Sequence, residues 1–134
     1  MFRKLFNPSR PSSTRGTSES SGSRGINPHF EPPHPAQSTV THILAQSKIV
    51  VFGKSGCLSC WKAKKLLDSN HVAYAVVNVD LREDDGEAIM HYLERITGQR
   101  TVPNVFVRGE HVGGNDTLHD MDRAGTLQVF LNRQ

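Results

Sequence analysis

The 134-residue chain has only two cysteines and one tryptophan, and it has no long apolar run. Each scarcity excludes something. Two cysteines cannot build the multi-bridge framework that holds small secreted scaffolds together. No stretch approaches the roughly 18 consecutive apolar residues of a membrane-spanning helix. The roughly 7–15-residue apolar run of a secretory signal does not follow the basic start. A sustained charge of one sign is missing too. The formal net charge is +3, but residues 1–46 hold five basic against two acidic side chains, whereas residues 47–134 hold eleven of each. The larger part is therefore neutral, and no nucleic-acid partner is expected. The length suits one domain with room for a tail.

Residues 1–37 are dominated by Ser, Pro, Gly and Arg, with few apolar residues beyond Phe2, Leu5, Phe6, Ile26 and Phe30. Such a segment cannot bury enough surface to offset its ordering entropy, so it reads as a disordered tail. Its Arg-rich, Ser-rich, acid-poor start, MFRKLF, is similar to a mitochondrial presequence. Pro8 limits any helix there to about two turns. An address and an ordinary flexible tail both fit, so the compartment reads as mitochondrial or cytoplasmic, with composition favouring the mitochondrion.

A globular pattern over residues 38–134 follows. Val40, Ile43 and Leu44 share one helical face behind Ser38 or Thr39. KIVVF (48–52) suits a buried strand. Residues 58–69 read as a helix with Leu58, Trp61, Leu66 and Leu67 apolar, and Lys62, Lys64 and Lys65 as a solvated face. Trp61 is expected to pack. A second strand spans 73–79, and Asp84 or Asp85 precedes a helix with the stripe Ile89, Tyr92, Leu93 and Ile96, ended by Gly98. Two short strands, 104–107 and 111–112, flank Arg-Gly-Glu, and Asp116 or Thr117 starts a last helical region broken by Gly125. The order α-β-α-β-α-β-β-α predicts a four-stranded mixed sheet with helices on both faces, an α/β three-layer α/β/α sandwich.

Cys57 and Cys60 form C-x-x-C between the first strand and the second helix. As a staple the pair is poor, because its loop is nearly the smallest available. As half of a zinc site it lacks partners: there is no third cysteine, and no H-x₃₋₅-H pair follows. Redox chemistry suits the placement. Unpaired N–H groups and the positive dipole end at a helix N-terminus favour a thiolate, and Lys54 adds a second positive field. Cys57, at the helix end, is the expected attacking sulfur, and Cys60 resolves the mixed disulfide.

From about residue 40 to 134 the sequence resembles the glutaredoxin family of the thioredoxin fold. The resemblance is carried by IVVFGKSGCLSC, TGQRTVPNVFV and GGNDT, in that order. It implies a thioredoxin-like fold and a glutathione-dependent thiol–disulfide oxidoreductase, with glutathione as co-substrate. Cys57 would be the nucleophile and Cys60 the resolving thiol. Val102 would offer its backbone to the cysteinyl part of glutathione, beside a cis peptide at Pro103. Lys54 and Gln99, with Arg100 nearby, would meet the glycine carboxylate. Gly114, Asn115 and Asp116 would hold the γ-glutamyl end. Glutathionylated and disulfide-containing proteins are the implied partners. One departure stands out: Leu58-Ser59 occupies the place where the family commonly has Pro-Tyr. Some members without that proline bridge two protomers through a [2Fe–2S] cluster. The alternative is therefore a cluster carrier or sensor, dimeric through Cys57 and glutathione. No other metal site is expected, and without a cluster the chain is expected to be monomeric.

Overall fold

The computed structural model describes residues 32–133. Residues 1–31, most of the segment assigned to a tail or address, lie outside the described residues. The elements run α1 (Gln37–Gln46), β1 (Ile49–Gly53), α2 (Leu58–Ser69), β2 (Ala75–Asn78), α3 (Gly86–Thr97), β3 (Asn104–Val107), β4 (Glu110–Gly113), α4 (Asn115–Arg123) and α5 (Leu127–Asn132). One turn of 3₁₀ helix, Val79–Leu81, follows β2. The sheet order is β2-β1-β3-β4, with β1 parallel to β2 and the other pairs antiparallel. This is the thioredoxin-like, four-stranded mixed sheet that the element order implies.

The composition of β1 explains why it takes a central position. Ile49, Val50, Val51 and Phe52 are β-branched or aromatic, and every residue of the strand is buried. Alternation sends Val50 and Phe52 to one face, where they join Val40 and Leu44 of α1, Ile89, Tyr92 and Leu93 of α3, and Phe106. Ile49 and Val51 point the other way, into a cluster with Ala63 and Leu67 of α2, Leu118 of α4, and Leu127 and Leu131 of α5. Phe52 and Phe106 meet edge to face, with ring centroids 5.7 Å apart.

Several local expectations shift. The second strand is four residues long, because Val79 already turns into the 3₁₀ helix. The hairpin turn is two residues, Arg108-Gly109, both with positive φ, and Glu110 pairs with Val107 instead of turning. Such two-residue loops match the twist of the strands they join. Asp116 is not the cap of α4; Gly114 takes that position and Asp116 lies in the first turn. The packed chain also begins before Ser38. Ala36 is 2% exposed within the core, and the His34 ring lies 5.2 Å from that of Tyr92. Tyr92 and Ile89 present an apolar surface that Ala36 helps to cover, and this draws residues from the tail side of the boundary onto the domain. Among the described residues no helix is long and apolar enough to cross a membrane.

Gly86 opens α3 against the 3₁₀ turn so closely that a Cβ would lie 2.0 Å from the Val79 carbonyl oxygen. Gly86→Ala is expected to destabilise the fold by about 1–3 kcal/mol, read as a lower urea midpoint at unchanged m-value.

Candidate active site

The site is assembled at the carboxyl end of β1, where open α/β sheets present their loops. Parallel pairing of Gly53 with Asn78 carries the residues after β2 alongside the loop that leaves β1. Asp80 thereby meets Ser55: its carboxylate accepts the Ser55 amide at 2.9 Å and the Ser55 hydroxyl at 2.5 Å. These hydrogen bonds hold the Asp80 carboxyl below its ordinary range. Antiparallel pairing of Phe52 with Asn104 sets Pro103 next to the same strand end. Two pairings in the sheet thus bring three distant segments together.

Gly53 and Gly56 shape the entry to α2. A Cβ on Gly53 would lie 2.9 Å from the Cys60 sulfur, so glycine allows the first turn of the helix to rest on the strand. Gly56, with φ of 76°, reverses the chain just before Cys57. Cys57 is the N-cap of α2, and its sulfur accepts the Cys60 amide at 3.2 Å. It occupies the role usually taken by a Ser or Asp oxygen, which satisfies one of the otherwise unpaired N–H groups of the first turn. Cys57 is half-buried; Cys60 is 2% exposed. The two cysteines are free and 2.8 Å apart. Burial, with Cys57 adding to it, pushes the Cys60 thiol up to about 11. Cys60 is therefore a neutral thiol at physiological pH.

A polar cleft of about 500 Å³ runs from Ser59 along the other wall, and it brings together Gln99, Val102, Pro103, Gly114, Asn115 and Asp116. The Val102–Pro103 peptide is cis. The Gln99 amide donates to the Thr101 carbonyl at 2.9 Å and to the Pro103 carbonyl at 2.8 Å. Its oxygen faces His111 Nε2 at 3.2 Å. Gln99 is thus committed to the loop that carries Val102. A Cβ on Gly114 would sit 3.3 Å from the Pro103 oxygen, so this glycine permits the two loops to touch. The Asn115 side-chain oxygen is buried without a partner, whereas Asp116 is exposed. Lys54 is not among the cleft-lining residues: it is exposed on the loop before Cys57, its amide is directed at the Cys60 sulfur, and its charge acts on Asp80.

Sequence reasoning missed the Ser55–Asp80 clamp, the support that His111 gives Gln99, and the contribution of Ser59, Thr101 and Thr117 to the cleft. No local pattern marks Asp80; only the β1–β2 register brings it to Ser55. Trp61 does not pack as expected: it is 55% exposed, and Leu58 is 65% exposed. The face of α2 turned to the sheet is instead Cys60, Ala63, Leu66 and Leu67, which puts Leu58 and Trp61 on the opposite side. Among the described residues no group of three or more His, Cys, Asp or Glu could hold a metal ion.

The contrast between the sulfurs has a direct measure. Iodoacetamide at pH 7.5 is expected to label Cys57 alone, read by mass spectrometry. Labelling of Cys60 should appear only as the pH approaches 11, because its raised value keeps the proton on below that range.

Comparison with known proteins agrees with this geometry. Residues 49–112 match the Glutaredoxin family profile. A glutaredoxin of Ricinus communis is 44% identical over 96 residues, covering 72% of this chain and 93% of that protein. Monothiol glutaredoxin-S12, chloroplastic, of Arabidopsis thaliana is 37% identical over 125 residues, covering 92% of this chain and 65% of that protein. Among solved structures, a buckwheat glutaredoxin–glutathione complex superposes with a TM-score of 0.67 at 39% identity, over 70% of this chain and 84% of that one. With its C-x-x-C at the start of α2, the chain belongs to the glutaredoxin family.

Proposed function

We propose that this thiol oxidoreductase works with glutathione, reducing glutathione mixed disulfides and protein disulfides through Cys57. The observation that carries the reading is the pair of unequal sulfurs beside the cleft: a half-buried thiol capping α2, and a neutral, buried thiol 2.8 Å away. The Cys57 thiolate attacks the glutathione sulfur of a mixed disulfide. The old S–S bond breaks, the substrate leaves as its thiol, and Cys57 carries glutathione. A second glutathione attacks that sulfur, giving glutathione disulfide and returning Cys57. With a protein disulfide, Cys57 instead becomes joined to the substrate. Cys60 then loses its proton, attacks the Cys57 sulfur and releases the reduced protein, leaving a Cys57–Cys60 disulfide for two glutathiones to reduce.

Glutathione fits the cleft by its chemistry. Val102 offers the backbone of a half-buried loop end to the cysteinyl part, and Gln99 holds that loop in place. Lys54 supplies the charge that a glycine carboxylate needs. At the other end Gly114 and Asn115 present the start of α4 to a carboxylate, while Asp116 and the unpartnered Asn115 oxygen suit an ammonium. The buckwheat relative is described in complex with glutathione.

A second reading, a [2Fe–2S] carrier or sensor, rests on Leu58 standing where the family commonly has proline. Each chain offers one accessible thiol, since Cys60 is buried, so such a cluster fits only between two copies with glutathione completing the ligands.

Cys57→Ser is expected to abolish glutathione-coupled turnover. Cys60→Ser should keep most deglutathionylation and lose reduction of protein disulfides. Turnover that survives in Cys57→Ser would refute the mechanism. Purification without oxygen and with glutathione should give a colourless monomer; a coloured dimer with weak turnover would favour the cluster reading.

A further inference from the structure

We propose that the outward face of α2 beside Cys57 docks polypeptide substrates that carry an apolar side chain next to the modified cysteine and acidic residues around it. This rests on the redox reading above and names its substrate class. Leu58 and Trp61, three residues apart on one helical face, are 65% and 55% exposed. Isolated apolar residues on a surface need no explanation, but Leu58 is the immediate neighbour of the attacking cysteine in the chain, and Trp61 lies one helical turn on, its amide bonded to the Cys57 carbonyl. The sheet-facing side of α2 is already filled by Cys60, Ala63, Leu66 and Leu67, so neither side chain has an internal place to go.

Charge defines the rest of the surface. Lys54, Lys62 and Lys65 are exposed around the pair, and no acidic residue occurs from Lys54 to Leu67. The Lys65 ammonium stands 5.6 Å from the centre of the Trp61 ring. The neighbouring carboxylates border this face without covering it: Asp80 is held by Ser55, Asp68 accepts the Tyr74 hydroxyl, and Asp116 and Asp120 share a pocket with Lys62, so Lys54 and Lys65 carry the open positive charge beside the apolar pair. The cleft is polar and suits glutathione, whereas α2 presents apolar contact ringed by positive charge. A mixed disulfide seated with its glutathione in the cleft can extend its other half across this face. Two apolar side chains fall well short of the roughly 800 Å² per partner that stable dimers bury, so the occupant is a partner released at each turnover.

The test uses the full chain and two glutathionylated peptides, one with Leu beside the cysteine and flanking Glu residues, the other with Gly and Ser in those places. A small mixed disulfide of glutathione and cysteamine serves as the reference. The first peptide should be preferred, and its kcat/KM should fall about tenfold in Trp61→Ser and in Lys62→Glu/Lys65→Glu, with the small disulfide unchanged. Docking has its own readout, because Trp61 is the only tryptophan. In Cys57→Ser protein, the Leu/Glu peptide with Ser in place of its cysteine should change Trp61 fluorescence, and added salt should weaken the response. A fluorescence response without turnover of any substrate would refute the redox reading and leave the docking surface standing. Equal losses on peptide and small disulfide, no fluorescence response, or a dimer that Trp61→Ser dissociates would each overturn the proposal.

Discussion

The backbone of β1 is paired on both edges and its side chains are covered on both faces, and every functional group is placed relative to where that strand ends. Burial of this kind leaves no freedom of register, because a one-residue slip would exchange the side chains of the two clusters. The fixed register puts Asp80 beside Ser55 on one side and Pro103 beside Gly53 on the other. Gly53 then lets α2 start against the strand, with the Cys60 sulfur where a Cβ would otherwise stand. The active end is thus a consequence of how a five-residue hydrophobic strand is enclosed.

One helical turn separates the roles of the two sulfurs. Cys57 caps α2, where its sulfur takes the Cys60 amide and solvent has access. Cys60, three residues on, faces the sheet, where burial favours the neutral thiol. A thiol that holds its proton does not compete for the incoming substrate, yet it is near enough to displace it later. The same turn divides the outer surface. Residues 60, 63 and 67 look inward, so 58, 61 and 65 must look outward beside the nucleophile.

Much of this was legible from residue order. The strand KIVVF, the amphipathic stripe of α3, the left-handed Gly98 at its end and the break at Gly125 all appear where local pattern puts them. Each is a short-range effect of side-chain periodicity or of backbone conformation. The hairpin turn is one residue shorter than Arg-Gly-Glu suggests, because a two-residue loop with both φ positive depends on strand twist that those letters do not show. Trp61 is exposed although an aromatic in an apolar-rich helix suggests core, because the facing direction is decided by which residues of α2 meet the sheet.

The order of residues alone determined the fold class and the identity of the two sulfurs, which rest on hydrophobic period and local spacing, and it carried the family resemblance in three motifs read in order. Tertiary structure decided what those segments do to one another. The Ser55–Asp80 clamp spans 25 residues, and the commitment of Gln99 to the Pro103 carbonyl and to His111 joins a helix end, a loop and a strand. Sheet register brings such partners together across long stretches of chain, and burial against the sheet is the largest cause that makes Cys60 a reluctant acid. Neither quantity is carried by any local run of the sequence.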